Sequence, residues 1–205
     1  MAFLRYIFLV AVALLLLDQQ DVQLRVQRVE PPAHPVKTLA TGLVVVEIDI
    51  ERITGKVQTR VLSGESPFVP SPLEALRQWR FVVPPDTDIG RTSVTFLFRP
   101  PAIYSVKVGA TAIRPWDPNE DFPPLPQEVI DPGYPPSSLA TGAAILEARV
   151  NASGVVTGTK PLEGVTALTD QAREGVKYWK FSPAKMSGKA VPSTVFVVIS
   201  FVLPT

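Results

Sequence analysis

The sequence predicts an α+β protein of two small domains, each a three-stranded antiparallel sheet with one helix packed on a face. Three observations carry this. The chain of 205 residues repeats itself at an offset of one hundred positions, as "LATGLVVVEIDI" from Leu39 and "LATGAAILEARV" from Leu139 show. Within each copy, apolar residues first alternate at strand period and then recur at helical period. Glycine and proline stand where one period gives way to the other. The composition agrees: 46% hydrophobic and 19% charged residues describe a folded globular chain rather than a disordered or fibrous one. With 20 Lys and Arg against 19 Asp and Glu, there is no broad basic field for phosphates, which argues against a nucleic-acid partner. The chain has no cysteine, so disulfides, thiolate metal sites and cysteine nucleophiles are ruled out.

Residues 1–20, "MAFLRYIFLVAVALLLLDQQ", place Arg5 ahead of an uninterrupted apolar run from Tyr6 to Leu17, the layout of an export signal. The run is shorter than the ~20 residues of a usual spanning helix, yet no small-x-small cleavage site follows it. Two outcomes stay open: a cleaved signal peptide that leaves a soluble protein, or a membrane anchor over residues 2–17.

The first domain is expected over 30–100. Val44, Val46, Ile48 and Ile50 alternate with Val45, Glu47 and Asp49 as in a half-buried strand. Gly55 tolerates the positive φ of a hairpin, and Lys56 to Leu62 return as the second strand. Ser71-Pro72-Leu73-Glu74 has the form of a capping box, so a helix carrying Leu73, Leu76 and Trp79 should start there. Val94, Phe96 and Phe98 line one face of the closing strand. Residues 101–132 follow as one extra strand, "AIYSVKVGATAI", and a Pro-rich linker. The linker is readable either as a semi-rigid polyproline spacer or as a segment packed along one domain through Trp116, Phe122 and Ile130. The second domain, 133–205, repeats the order: a strand with Ala144, Leu146, Ala148 and Val150, a turn at Gly154, a return strand, and a helix burying Leu168, Ala172, Val176 and Trp179. Its closing strand, Thr194 to Val202, places Val195, Val197, Ile199 and Phe201 against the helix and leaves Phe196, Val198 and Ser200 on an open face.

Both copies write Trp, a basic residue and Phe after the helix: Trp79 to Phe81 and Trp179 to Phe181. A helix laid on a small sheet needs a large anchor where it hands over to a strand, and each Trp can bury ~150–250 Å² there. Trp79, Phe81, Trp179, Phe181 and Pro183 are therefore expected to be structural corner residues.

The second copy, "YPPSSLATGAAILEARVNASGVVTGTKPLEGVTALTDQAREGVKYWKFSPAKMSGKAVPSTVFVVISF", resembles the C-terminal domain of TonB-type energy transducers, on Tyr134, Pro135, Gly154, Trp179, Phe181, Pro183, Gly188, Val191 and Phe201. The first copy is a degenerate match: His34-Pro35 stands for Tyr-Pro, and Phe81-Val82-Val83-Pro84 lacks the Phe-x-Pro step. The resemblance implies a periplasmic module that binds an extended peptide of an outer-membrane receptor or transporter by adding it to an exposed sheet edge. It also implies an inner-membrane proton-driven complex as a second partner. The family's anchor carries a Ser/His pattern and a long Pro/Lys/Glu spacer, and this chain has neither. The binding edge is expected on the closing strand of copy two, at Thr194, Phe196, Val198, Ser200 and Val202.

No catalytic constellation is visible. His34 is the single histidine and reads as a surface or capping residue. "GVVTGTK" from Gly154 lacks phosphate-loop spacing and reads as a turn. Glu47 and Glu147 read as solvated strand carboxylates of separate domains. The expectation is an exported binding protein without enzyme activity, cofactor or metal. The alternative is a structural envelope protein that pairs with copies of itself, as a homodimer or more, through exposed sheet edges.

Overall fold

The computed structural model describes residues 25–35, 40–82, 90–99, 107–109 and 121–203. In chain order the first half holds β1 (Arg25–Arg28), β2 (Gly42–Ile50), β3 (Val57–Ser63), α1 (Pro70–Leu76), β4 (Arg80–Val82) and β5 (Arg91–Phe98). After β6 (Lys107–Gly109), the second half holds β7 (Leu125–Ile130), β8 (Gly142–Val150), β9 (Val156–Glu163), α2 (Thr166–Val176) and β10 (Lys180–Ser182). It closes with β11 (Ala184–Met186), β12 (Lys189–Val191) and β13 (Ser193–Phe201). Among the described residues, two helices against many strands make the fold α+β.

The hairpins form where alternating apolar residues and a permissive glycine coincide. Gly55 (φ +65°) and Gly154 (φ +79°) occupy equivalent turns. At each, a Cβ would collide with the carbonyl oxygen of the corner phenylalanine, Phe81 or Phe181. The same glycines accept the Phe81 and Phe181 amides, at 3.0 and 2.9 Å. Glycine is thus required both by φ and by close approach.

The expected pair of separate three-stranded sheets is instead one six-stranded sheet, ordered β3-β2-β5-β13-β8-β9. Each half contributes three strands, and the two closing strands join them. β5 and β13 run parallel, with Phe196 opposite Val94 through Ser200 opposite Phe98. On its other side β13 pairs antiparallel with β8 along its whole length. The mirrored order with a parallel centre places the halves about an approximate two-fold axis lying in the sheet between β5 and β13, so the helices cover opposite faces.

Two cores follow from that symmetry. On one face α1, Trp79 and Phe81 cover Val44, Val46, Ile48, Val94, Phe96 and Phe98, together with Ile145, Phe196 and Val198 from the second half. On the other, α2, Trp179 and Phe181 cover Leu146, Ala148, Val150, Val195, Val197 and Ile199, together with Leu97 from the first half. The supposed open face of the closing strand is therefore the floor of the other half's core. Phe196 meets the Trp79 ring edge-on at 5.6 Å and the Phe81 ring at 5.4 Å.

The corner differs from expectation in its destination. After each helix the chain enters a short strand that leaves the main sheet: β4 pairs with β1, and β10 pairs with β7. β1 and β7 are equivalent starts of the two halves. The second half thus begins inside the stretch expected to be a linker, and of the two linker readings the packed one holds for its described part. Leu125 and Val129 are buried, and β6 adds to the free side of β7. Arg99, at the end of β5, and Asp131, just past β7, form a fully buried ion pair that fastens this segment to the first half. The expected capping box does not form. α1 starts two residues earlier, at Pro70 rather than Pro72, without a side-chain cap, and Ser71 Oγ donates to the Ala33 carbonyl at 2.6 Å instead.

Candidate functional site

A strand-adding protein needs a ladder with an unpaired side. The closing strand of the second half has none. Thr194 lies opposite Arg149, and its carbonyl accepts the Thr92 hydroxyl at 2.5 Å. Phe196 and Val198 are buried between strands on both sides. Ser200 is buried, its Oγ 2.9 Å from His34 Nδ1. Val202 lies just beyond β13, partly buried. These five residues do not make a peptide-binding edge, because the parallel partner β5 already occupies it.

The corner residues lie in the two cores. Trp79 and Trp179 are fully buried, and their indole N–H groups donate to the carbonyls of Glu30 (2.9 Å) and Ile130 (2.8 Å) in equivalent positions. Phe81 and Phe181 are buried beside them, and Pro183 is half-buried between β10 and β11. His34 stacks edge-on against Phe98 at 5.5 Å, and burial pushes its imidazole below the ordinary histidine value. Residues 1–20, expected to hold a signal peptide or a membrane anchor, lie outside the described residues. Among the described residues no helix is long and apolar enough to cross a membrane.

The outer strands of the six-stranded sheet are β3 and β9. They differ in openness. β9 has two register irregularities against β8 and carries Pro161, devices that blunt an edge. β3 has no proline and a single register irregularity, between Val45 and Val46, beyond which it pairs with β2 over five consecutive residues, Val61 opposite Val46 through Val57 opposite Ile50. The Glu51 amide bonds the Lys56 carbonyl at 2.8 Å, which fixes the phase of the ladder. Counting in twos from that pair, Gln58 and Arg60 bond inward to β2, while Val57, Thr59 and Val61 turn their N–H and C=O groups outward.

Beside this edge, on the face away from α1, lies a trough of about 580 Å³ lined by Glu47, Asp49, Gln58, Thr59, Arg60, Arg91 and Asp121. β2 supplies two of its three carboxylates because its polar alternates, Glu47 and Asp49, face away from the α1 core. The Glu47 side chain is only 4% exposed, so it is not the solvated carboxylate that its strand position suggested. Arg60 holds Glu47 Oε2 at 2.5 Å, and Arg91 Nε lies 3.3 Å from Oε1 and 3.5 Å from Asp49 Oδ1. Glu147 is likewise buried, and it shares the same sheet. The alternation "VEIDI" was the available signal for this site. Arg60 and Arg91 were not identifiable as its cations, because cross-strand register is invisible in sequence.

No protein-family model, no curated protein and no solved structure matches this chain.

Proposed function

We propose that this is an exported, TonB-like binding protein that takes up an extended peptide of an outer-membrane transport protein by strand addition, and that β3 is the edge it uses. The observation that supports this reading most is the proline-free β3, in continuous register with β2 from Val57 to Val61, with the outward groups of Val57, Thr59 and Val61 unpaired in the sheet order. The fused sheet makes β3 a rigid template, because its partner β2 is anchored through β5 to the buried centre. The resemblance of the second half to TonB C-terminal domains supports the periplasmic setting and the class of partner. Coupling to an inner-membrane proton-driven complex rests on that resemblance alone.

Thr59→Pro tests the edge, since it removes an outward N–H without taking a bond from the β2–β3 ladder. Receptor and transporter N-terminal peptides should bind the unaltered chain, and the folded Thr59→Pro protein should lose them. Equal binding by both proteins would mean that the peptide docks elsewhere. The self-assembly reading uses the same edge. It predicts instead that sedimentation shows a concentration-dependent oligomer dissolved by Thr59→Pro, with no peptide required.

A further inference from the structure

We infer that the trough beside β3 is a specificity pocket for a lysine or arginine side chain of the added strand; this rests on the strand-addition reading above. A strand added to β3 would lie ~4.8 Å from it, and alternate side chains would project on the trough face, as those of Gln58 and Arg60 do. The residue set opposite Gln58 looks across it to Asp49, which is Gln58's partner on β2. Only a long side chain spans that distance.

The chemistry of the lining selects a cation. Glu47, Asp49 and Asp121 are three carboxylates against two guanidiniums, Arg60 and Arg91. Arg91 is divided between Glu47 and Asp49. Asp121 accepts the Ser187 backbone amide at 2.5 Å, a neutral partner. Independently of this charge balance, Glu47 Oε1 is buried in the trough and accepts no hydrogen bond, although Arg91 is near enough to attract it. A buried carboxylate oxygen ordinarily has a donor. An ammonium or guanidinium brings donors and positive charge together. Among the described residues no group of three or more His, Cys, Asp or Glu could hold a metal ion, so an organic cation fits this lining better.

Selection of a random peptide library against the whole chain, against Thr59→Pro and against Asp49→Lys tests the inference. The expected winners alternate like a strand and carry Lys or Arg at one fixed position. Replacing that residue by norleucine should weaken binding about fivefold at low salt, as for a partly exposed ion pair, and less at high salt. Asp49→Lys should turn the preference at that position to Glu or Asp. Winners that need an intact β3 edge but show no basic position, or lose nothing with norleucine, overturn the pocket and leave strand addition standing. Winners indifferent to Thr59→Pro, or no winners at all, overturn both. Circular dichroism establishes that each variant is folded, and Val57→Pro, which also removes an outward amide, replaces Thr59→Pro if that variant is not.

Discussion

Trp79 and Trp179 hold equivalent places, each buried under its helix with its indole N–H on a carbonyl of the preceding segment. Removing such a side chain loses apolar burial and strands a buried carbonyl, so Trp179→Ala should cost ~3–5 kcal/mol in denaturant unfolding. A loss of binding with unchanged stability would contradict the packing role. His34 occupies the place that Tyr134 fills in the second half, and the two meet Phe98 and Phe201 respectively. Desolvation lowers the imidazole pKa in the folded chain, so the folded state binds fewer protons here than the unfolded state. Stability should therefore fall as pH drops below about 6.5, and the loss is complete once pH is below the lowered folded value. His34→Tyr should flatten this part of the stability-pH profile. A profile unchanged by the substitution would remove His34 as its cause. The Trp-x-Phe anchors were legible in sequence because large aromatics at a repeated spacing have few uses other than packing. The His34 contact with Ser200 was not, since it spans the two halves.

At the scale of elements, strands β2, β3, β8 and β9 and helix α2 were readable from periodicity and turn glycines. β1 and β7 were missed because each is short, and the prolines around β7 read as linker. The role of β13 was misread for a more instructive reason. Its sequence, "STVFVVISF", is apolar on both faces, and so is "VTFLF" in β5. Strands buried on both faces and joined in parallel carry such continuous runs, whereas a half-exposed edge alternates. The clue was present, but it identified two interior strands only when both closing strands were considered together. Because Val198 lies between Phe96 on β5 and Ile145 on β8, its N–H belongs to a ladder whichever way it points. Val198→Pro should therefore remove a ladder hydrogen bond in the middle of the sheet and unfold the protein. A native near-ultraviolet dichroism spectrum for that variant would show that β13 is not interior.

For the whole molecule, the internal repeat has become an internal partnership. Each half leaves one face of its closing strand apolar, and the other half's helix and tryptophan cover it. A second half cut free would expose Ile145, Phe196 and Val198, so the repeats are halves of one folding unit rather than beads on a spacer. The fusion occupies the closing-strand edge that a separate half would offer and leaves β3 and β9 as the outer strands, β3 beside a charged trough. Sequence comparison of the copies revealed two units, but the alternation within each copy cannot tell which neighbour a closing strand takes. Native-state hydrogen exchange tests this arrangement most directly. In an interior strand every amide is bonded, so Val195 through Ser200 should all exchange slowly and together. In β3, Gln58 and Arg60 should be slow while Val57, Thr59 and Val61 are fast. Alternating fast and slow amides along Val195 to Ser200 would contradict the shared sheet.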